Sequence, residues 1–177
     1  MTTILLSMKS LYLNIRALIV MALLLGACGG TDDVDSEYTE NERAYSMESA
    51  SDYNVQGVAT FREKRNGDLQ LTLQLENTVA GGTHPAHMHY GTTDVPNSRM
   101  ALMLTPVDGA TGTSITTFSH LIDGSSFSFE DLLNFDGSLK VHLDDGANKD
   151  VVMCGANIGQ NQASTISNMA VCTSGNQ

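Results

Sequence analysis

Two short runs of alternating apolar and polar residues around an Asn-Gly pair constrain this chain more than any other feature. Val55, Gly57, Ala59 and Phe61 alternate with Gln56, Val58, Thr60 and Arg62, and Leu69, Leu71, Leu73 and Leu75 alternate with Gln70, Thr72, Gln74 and Glu76. Period two is the signature of a strand with one buried face. Asn66-Gly67 between the runs favours the type I′ turn of a tight hairpin. Further strands are expected over residues 86–90, 100–104, 115–120, 137–144 and 150–158, the last apolar on both parities and therefore central. Ser128 followed by Glu130 and Asp131 predicts one short helical turn. Short strands, Gly-containing turns and no long amphipathic helix indicate an all-β fold, an antiparallel Greek-key β-sandwich or barrel.

The chain starts differently. Lys9 and Arg16 precede and enter an apolar run from Ala17 to Leu25, and Leu25-Gly26-Ala27-Cys28 follows. The run is short of the ~20 residues that cross a bilayer, so it reads as a secretion signal. Leu25-Gly26-Ala27-Cys28 resembles a bacterial lipobox. That resemblance implies a signal peptide over residues 1–27, cleavage before Cys28, and acylation of Cys28, which tethers the chain to a lipid membrane. Residues 28–52 are acidic and poor in large aliphatic side chains, and are expected to form a disordered tether. The domain itself then spans residues 53–177. Asp32, Asp33, Asp35 and Glu37 resemble an acidic signal for export to the cell surface. The expected location is the outer membrane, on its periplasmic or cell-surface face.

The 177-residue chain has a formal charge of −11. Removing the signal leaves seven Lys and Arg (nine less Lys9 and Arg16) against twenty acidic residues, a charge of −13. Nucleic acid is excluded as a partner on this balance, and anchoring falls to the acyl chains rather than to basic residues. In an oxidising compartment the two remaining cysteines, Cys154 and Cys172, are expected to form a disulfide that pins the C-terminal tail to the last strand; two separate thiols are the alternative.

Candidate chemistry lies in two histidine segments. In His84-Pro85-Ala86-His87-Met88-His89-Tyr90, His87 and His89 share one face, about 7 Å apart along a strand. In Leu139-Lys140-Val141-His142-Leu143-Asp144-Asp145, His142 has the polar parity and is expected to face outward. Three neutral imidazoles with an open position suit copper or zinc, and copper ranks above zinc for such nitrogen sites. The alternative is that all three are ordinary hydrogen-bonding residues. His84 has the other parity and precedes Pro85, so it reads as a loop residue and an additional ligand candidate. Asp144 and Asp145 could hold a ligating ring by its second nitrogen, or simply form a turn with Gly146. Met88, Met100 and Met103 suggest soft copper ligation, but Met88 has the core parity and methionine ordinarily fills gaps there, so all three read as packing, and His120 reads as a plain sheet residue.

The segments His87-Met88-His89-Tyr90-Gly91, Val141-His142-Leu143-Asp144-Asp145 and Met153-Cys154-Gly155-Ala156-Asn157 resemble, in this order, copper-zinc superoxide dismutase. A closer similarity is to the CHRD (chordin-type) domain, a superoxide-dismutase-like sandwich of exported bacterial proteins, over residues 53–159. The dismutase resemblance implies His87, His89 and His142 as copper ligands. Two departures bear on activity. Between Tyr90 and His142 the only histidine is His120, so the zinc site is absent, and Val151 stands where the dismutases carry an arginine that attracts superoxide. No nucleophile elbow, phosphate loop or dinucleotide fingerprint occurs. The expectation is a membrane-anchored binding module holding one copper ion, without efficient catalysis, that meets an extracellular protein or polymer; the alternative is a copper-only dismutase-like oxidoreductase.

Overall fold

A computed structural model describes residues 37–162 together with Met169 and Ala170. The signal segment, Cys28, the first part of the tether and Cys172 lie outside the described residues. Among the described residues ten antiparallel strands form one curled sheet, a half-barrel, with a single short helix. In chain order the elements are β1 (Tyr38–Ser49), β2 (Gln56–Lys64), β3 (Leu69–Glu76), β4 (Thr83–His84), β5 (Ala86–Tyr90), β6 (Met100–Met103), β7 (Val107–Asp108), β8 (Thr113–Phe118), α1 (Phe129–Asn134), β9 (Asp136–His142) and β10 (Val152–Gly159). Across the sheet the order is β4-β7-β8-β3-β2-β1-β10-β9-β5-β6.

The alternation in β2 and β3 does what period two requires. Ala59 pairs with Leu73 and Phe61 with Leu71, and all four side chains are buried. Their connection departs from the expected type I′ turn. Gly67 N–H donates to Lys64 O and Lys64 N–H to Asp68 O, and only Gly67 of the turn has a positive φ, at 88°. The loop is therefore Arg65-Asn66-Gly67, a first turn followed by a left-handed glycine. Asn66 stays out of the left-handed region because its side chain is used locally, accepting from Asp68 N–H and donating to the Asp68 carboxylate.

The expected tether is corrected over about half of its length, since β1 occupies residues 38–49. Only Tyr45 and Met47 of this strand are buried, too few to give an apolar pattern. They are sufficient because the ladder supplies the rest. β1 pairs with β2 from Tyr38 to Met47 and with β10 at Glu48 and Ser49, so one strand joins the two halves of the sheet. Tyr45 packs edge-on against Phe61, with ring centres 5.8 Å apart, and its hydroxyl accepts from Gly159 N–H.

Strand β4 lies at one end of the sheet order, while β5, separated from it only by Pro85, pairs with β9 and β6 at the other. Proline owes no ladder hydrogen bond, which suits a residue where the chain changes partners. Its carbonyl accepts from His142 N–H at 2.8 Å. Helix α1 begins as expected at Ser128, whose hydroxyl caps Asp131 N–H while the Asp131 carboxylate accepts from Ser128 N–H. Phe129 and Leu132 turn inward to the core formed by Phe61, Leu71, Met88, Leu139 and Ile158.

If β1 is a core element, truncating Met47 to Ala leaves a cavity and lowers unfolding free energy by about 2–5 kcal/mol. Urea denaturation of the two proteins measures this. A change within about 0.5 kcal/mol, as for an exposed site, would return the segment to the status of a tether.

Candidate metal centre

The register of β5 against β9 sorts the two histidine segments by face. Ala86 stands opposite Val141 and Met88 opposite Leu139, all in the core, while His87 stands opposite Lys140 and His89 opposite Ser138 on the other face. His142, two residues beyond Lys140, falls on that face too. One nitrogen from each of His87, His89 and His142 can be chosen so that all three lie within 4.8 Å of one another. Some point is then within about 2.8 Å of all three, against the 2.0–2.1 Å of a metal–imidazole bond, so small ring rotations close the difference.

The histidine face is not open to solvent as the alternation suggested. His89 and His142 are each only 3% exposed, and Lys140 between them is fully buried. The segment after β5 folds back over them. His89 Nδ1 lies 3.0 Å from Ser98 O, Thr93 N–H donates to the Asn157 side chain, and Lys140 Nζ donates to the carbonyls of Ala170 at 2.9 Å and Val95 at 3.5 Å. Ala170 N–H in turn donates to Thr93 O. The polar parity faces away from the core, yet it lies under a lid of backbone carbonyls. His87 is half-buried and forms the accessible edge of the group.

This environment keeps the rings neutral. Burial lowers the pKa of His87, and it lowers His89 to about 4, assisted by the charges of Lys140 and His87 and opposed by the Ser98 carbonyl. His142 also falls to about 4, through burial first and then its neighbour His87. Because a carbonyl can only accept, the His89 proton sits on Nδ1 and leaves the Nε2 lone pair bare. A carbonyl fixing the tautomer in this way is how ligating histidines are ordinarily held. His89 Nε2 is buried with no hydrogen-bond partner, as are the hydroxyls of Ser98 and Ser138 beside it, and the equally buried ring of His142 lies near the Lys149 backbone but outside good hydrogen-bonding geometry. Such groups suit a cation that accepts lone pairs.

The remaining candidates lie elsewhere. His84 is not a loop residue but part of β4, 1% exposed, with Nδ1 donating to Leu143 O at 2.8 Å and its ring packed against Gly82 and Gly109. It stands outside the three-histidine group. Asp144 does not orient a ring, because its oxygens accept from Gly146 N–H, Asn148 N–H and the Asn148 side chain of its own turn. Asp145 is exposed. Among the described residues Cys154 has no disulfide partner, and burial pushes its thiol up to about 12; Cys172, the partner expected for Cys154, lies outside the described residues, as does Cys28. His120 is an exposed residue in an isolated bridge to Ser126, and Met88 is a core side chain. Met103, expected to pack, is 65% exposed. Lys140 and the Ser98 carbonyl were not singled out by sequence: Lys140 reads as a solvated strand residue, and a backbone acceptor leaves no mark on side-chain pattern.

No protein-family model matches the chain, and no curated protein is significantly similar to it.

In the metal-free protein the depressed pKa values of His89 and His142 link stability to pH. Between 6.5 and about 4 the unfolded chain binds more protons than the folded one, so stability rises with pH across that window. The contribution is fully present above about pH 7 and is lost as pH falls through 6.5 towards 4. Denaturation midpoints measured from pH 7.5 to 4 are expected to fall more steeply in the native chain than in a His89→Asn, His142→Asn variant. Parallel curves would show that these rings are not held neutral.

Proposed function

We propose that this chain is an exported lipoprotein, anchored to a membrane through acylated Cys28, whose CHRD-type domain holds a single copper ion through His87, His89 and His142. The observation that carries the metal reading is the convergence of three neutral imidazoles, one with its tautomer set by the Ser98 carbonyl, beside buried polar atoms that no protein group satisfies. Copper is favoured over zinc by its higher affinity for nitrogen donors. The ion would supply one-electron chemistry between Cu(II) and Cu(I). The protein's own contribution is to hold the rings neutral, exclude water from two of them and leave His87 at the open edge. The anchor rests on Lys9, Arg16, the apolar run and Leu25-Gly26-Ala27-Cys28, and the strongly acidic surface leaves anchoring to acyl chains. The function is that of a binding module, facing an extracellular protein or polymer.

A dismutase-like activity is a second reading, and Lys140 favours it. Its side chain is buried on the ligand face, and a cationic group there would draw an anion towards the metal in an otherwise acidic protein.

Metal analysis of the full-length chain after copper loading is expected to give one ion per chain, lost in a His87→Ala, His142→Ala variant. Equal uptake by both proteins would refute the site. Superoxide turnover by the loaded protein, absent from the double variant, would replace the binding-module reading with the enzymatic one. Separately, Cys28→Ser is expected to release the chain from the membrane fraction of expressing bacteria; unchanged partitioning would remove the anchor.

A further inference from the structure

The edge strand β6 brings sulfur to the same face as the histidines. Met103 stands directly opposite His87, and Met100 directly opposite His89. The spacing is unusual, since the two histidines are two residues apart and the two methionines three. A β-bulge between Met88 and His89 absorbs the difference. The extra residue lies in the Ala101-Leu102 stretch, where Ala101 is buried in the core and Leu102 packs against it. Bulges re-aim side chains beside functional sites, and this one returns Met100 to the histidine face after two consecutive core-side residues. Without it, Ala101 would stand opposite His89.

Met103 is not packing. It is the most exposed large apolar side chain among the described residues, at 65%, on the last strand of the sheet order, where solvent-facing positions are ordinarily polar or charged. Directly opposed residues hold their Cβ atoms about 4.5–5.5 Å apart, well within reach of a flexible thioether turning towards the ring it faces.

Accepting the three-histidine reading, the geometry points to a monovalent soft-metal site, with Met103 as the thioether ligand that completes it for Cu(I). Thioether sulfur selects Cu(I), whereas imidazoles alone serve copper and zinc alike. The half-buried His87 and exposed Met103 form the open side, where the ion enters and leaves. Nitrogen ligands under the lid anchor it from within.

The test compares the full-length chain with Met103→Leu, which preserves bulk and removes sulfur, in anaerobic Cu(I) titrations against a competing chelator and in parallel Zn(II) titrations. Loss of the ligand is expected to weaken Cu(I) binding by about tenfold or more while leaving Zn(II) binding unchanged. X-ray absorption at the copper edge is expected to show a sulfur scatterer in the native chain that is missing from the variant. A Met103→Cys variant is expected to restore it. Equal Cu(I) affinities with no sulfur scatterer in the native chain would overturn this inference and leave the three-histidine site standing. Undiminished uptake of both metals by the His87→Ala, His142→Ala variant would overturn the site as well.

Discussion

The register between β5 and β9 is the constraint on which the candidate site depends. With Ala86 opposite Val141 and Met88 opposite Leu139, three histidines share the face turned from the core; a slip of one residue would drive rings into the core and leucine out of it. The register is reinforced where the strand pair ends. His142 N–H is held by the carbonyl of Pro85, and the Leu143 carbonyl by the ring of His84. Both bonds come from the step at which the chain passes from β4, at one end of the sheet, to β5 near the other. The third histidine of the group thus sits where the half-barrel fastens onto itself, and the site inherits its geometry from that closure.

What could be read from the sequence was whatever leaves a local pattern in side-chain type. The hairpin of β2 and β3, the histidine strand β5, the apolar strand β10 and the capped turn at Ser128 were all legible, because each carries either alternation, unbroken apolarity or a cap. Strand β1 was not. Ten of its twelve positions are not buried, and it is held by ladder bonds on both sides and by two inward side chains, Tyr45 and Met47. Strands β4 and β7 have two residues each and are too short to show any period.

For the site, alternation identified the three ligand candidates and their common face, but not what covers it. Parity says which way a side chain points from a sheet, and nothing about whether a loop returns over it. Lys140 has the parity of His142 and looked solvated, yet it is fully buried under the carbonyls of Val95 and Ala170. The methionines of β6 were illegible for a related reason. Residues three apart on a strand ought to face opposite ways, and only a bulge, which leaves no compositional trace here, puts Met100 and Met103 on one side.

The covering segment changes the energetic meaning of the histidine face. A polar group in water loses little, whereas one buried without a partner costs about 1–3 kcal/mol. The bare Nε2 of His89, the poorly satisfied ring of His142 and the unsatisfied hydroxyls of Ser98 and Ser138, gathered on one covered face, oppose folding together. Packing alone gives no reason to concentrate them, since apolar side chains of similar size would fill the same space without that cost. Their retention makes physical sense if what they oppose in the empty domain they return on binding: burial has already removed competing protons and most competing water, and the Ser98 carbonyl has already selected the ligating nitrogen of His89. A metal bound here would meet rings already neutral and desolvated, and the reorganisation left to it would be the small rotations that bring their nitrogens to bonding distance.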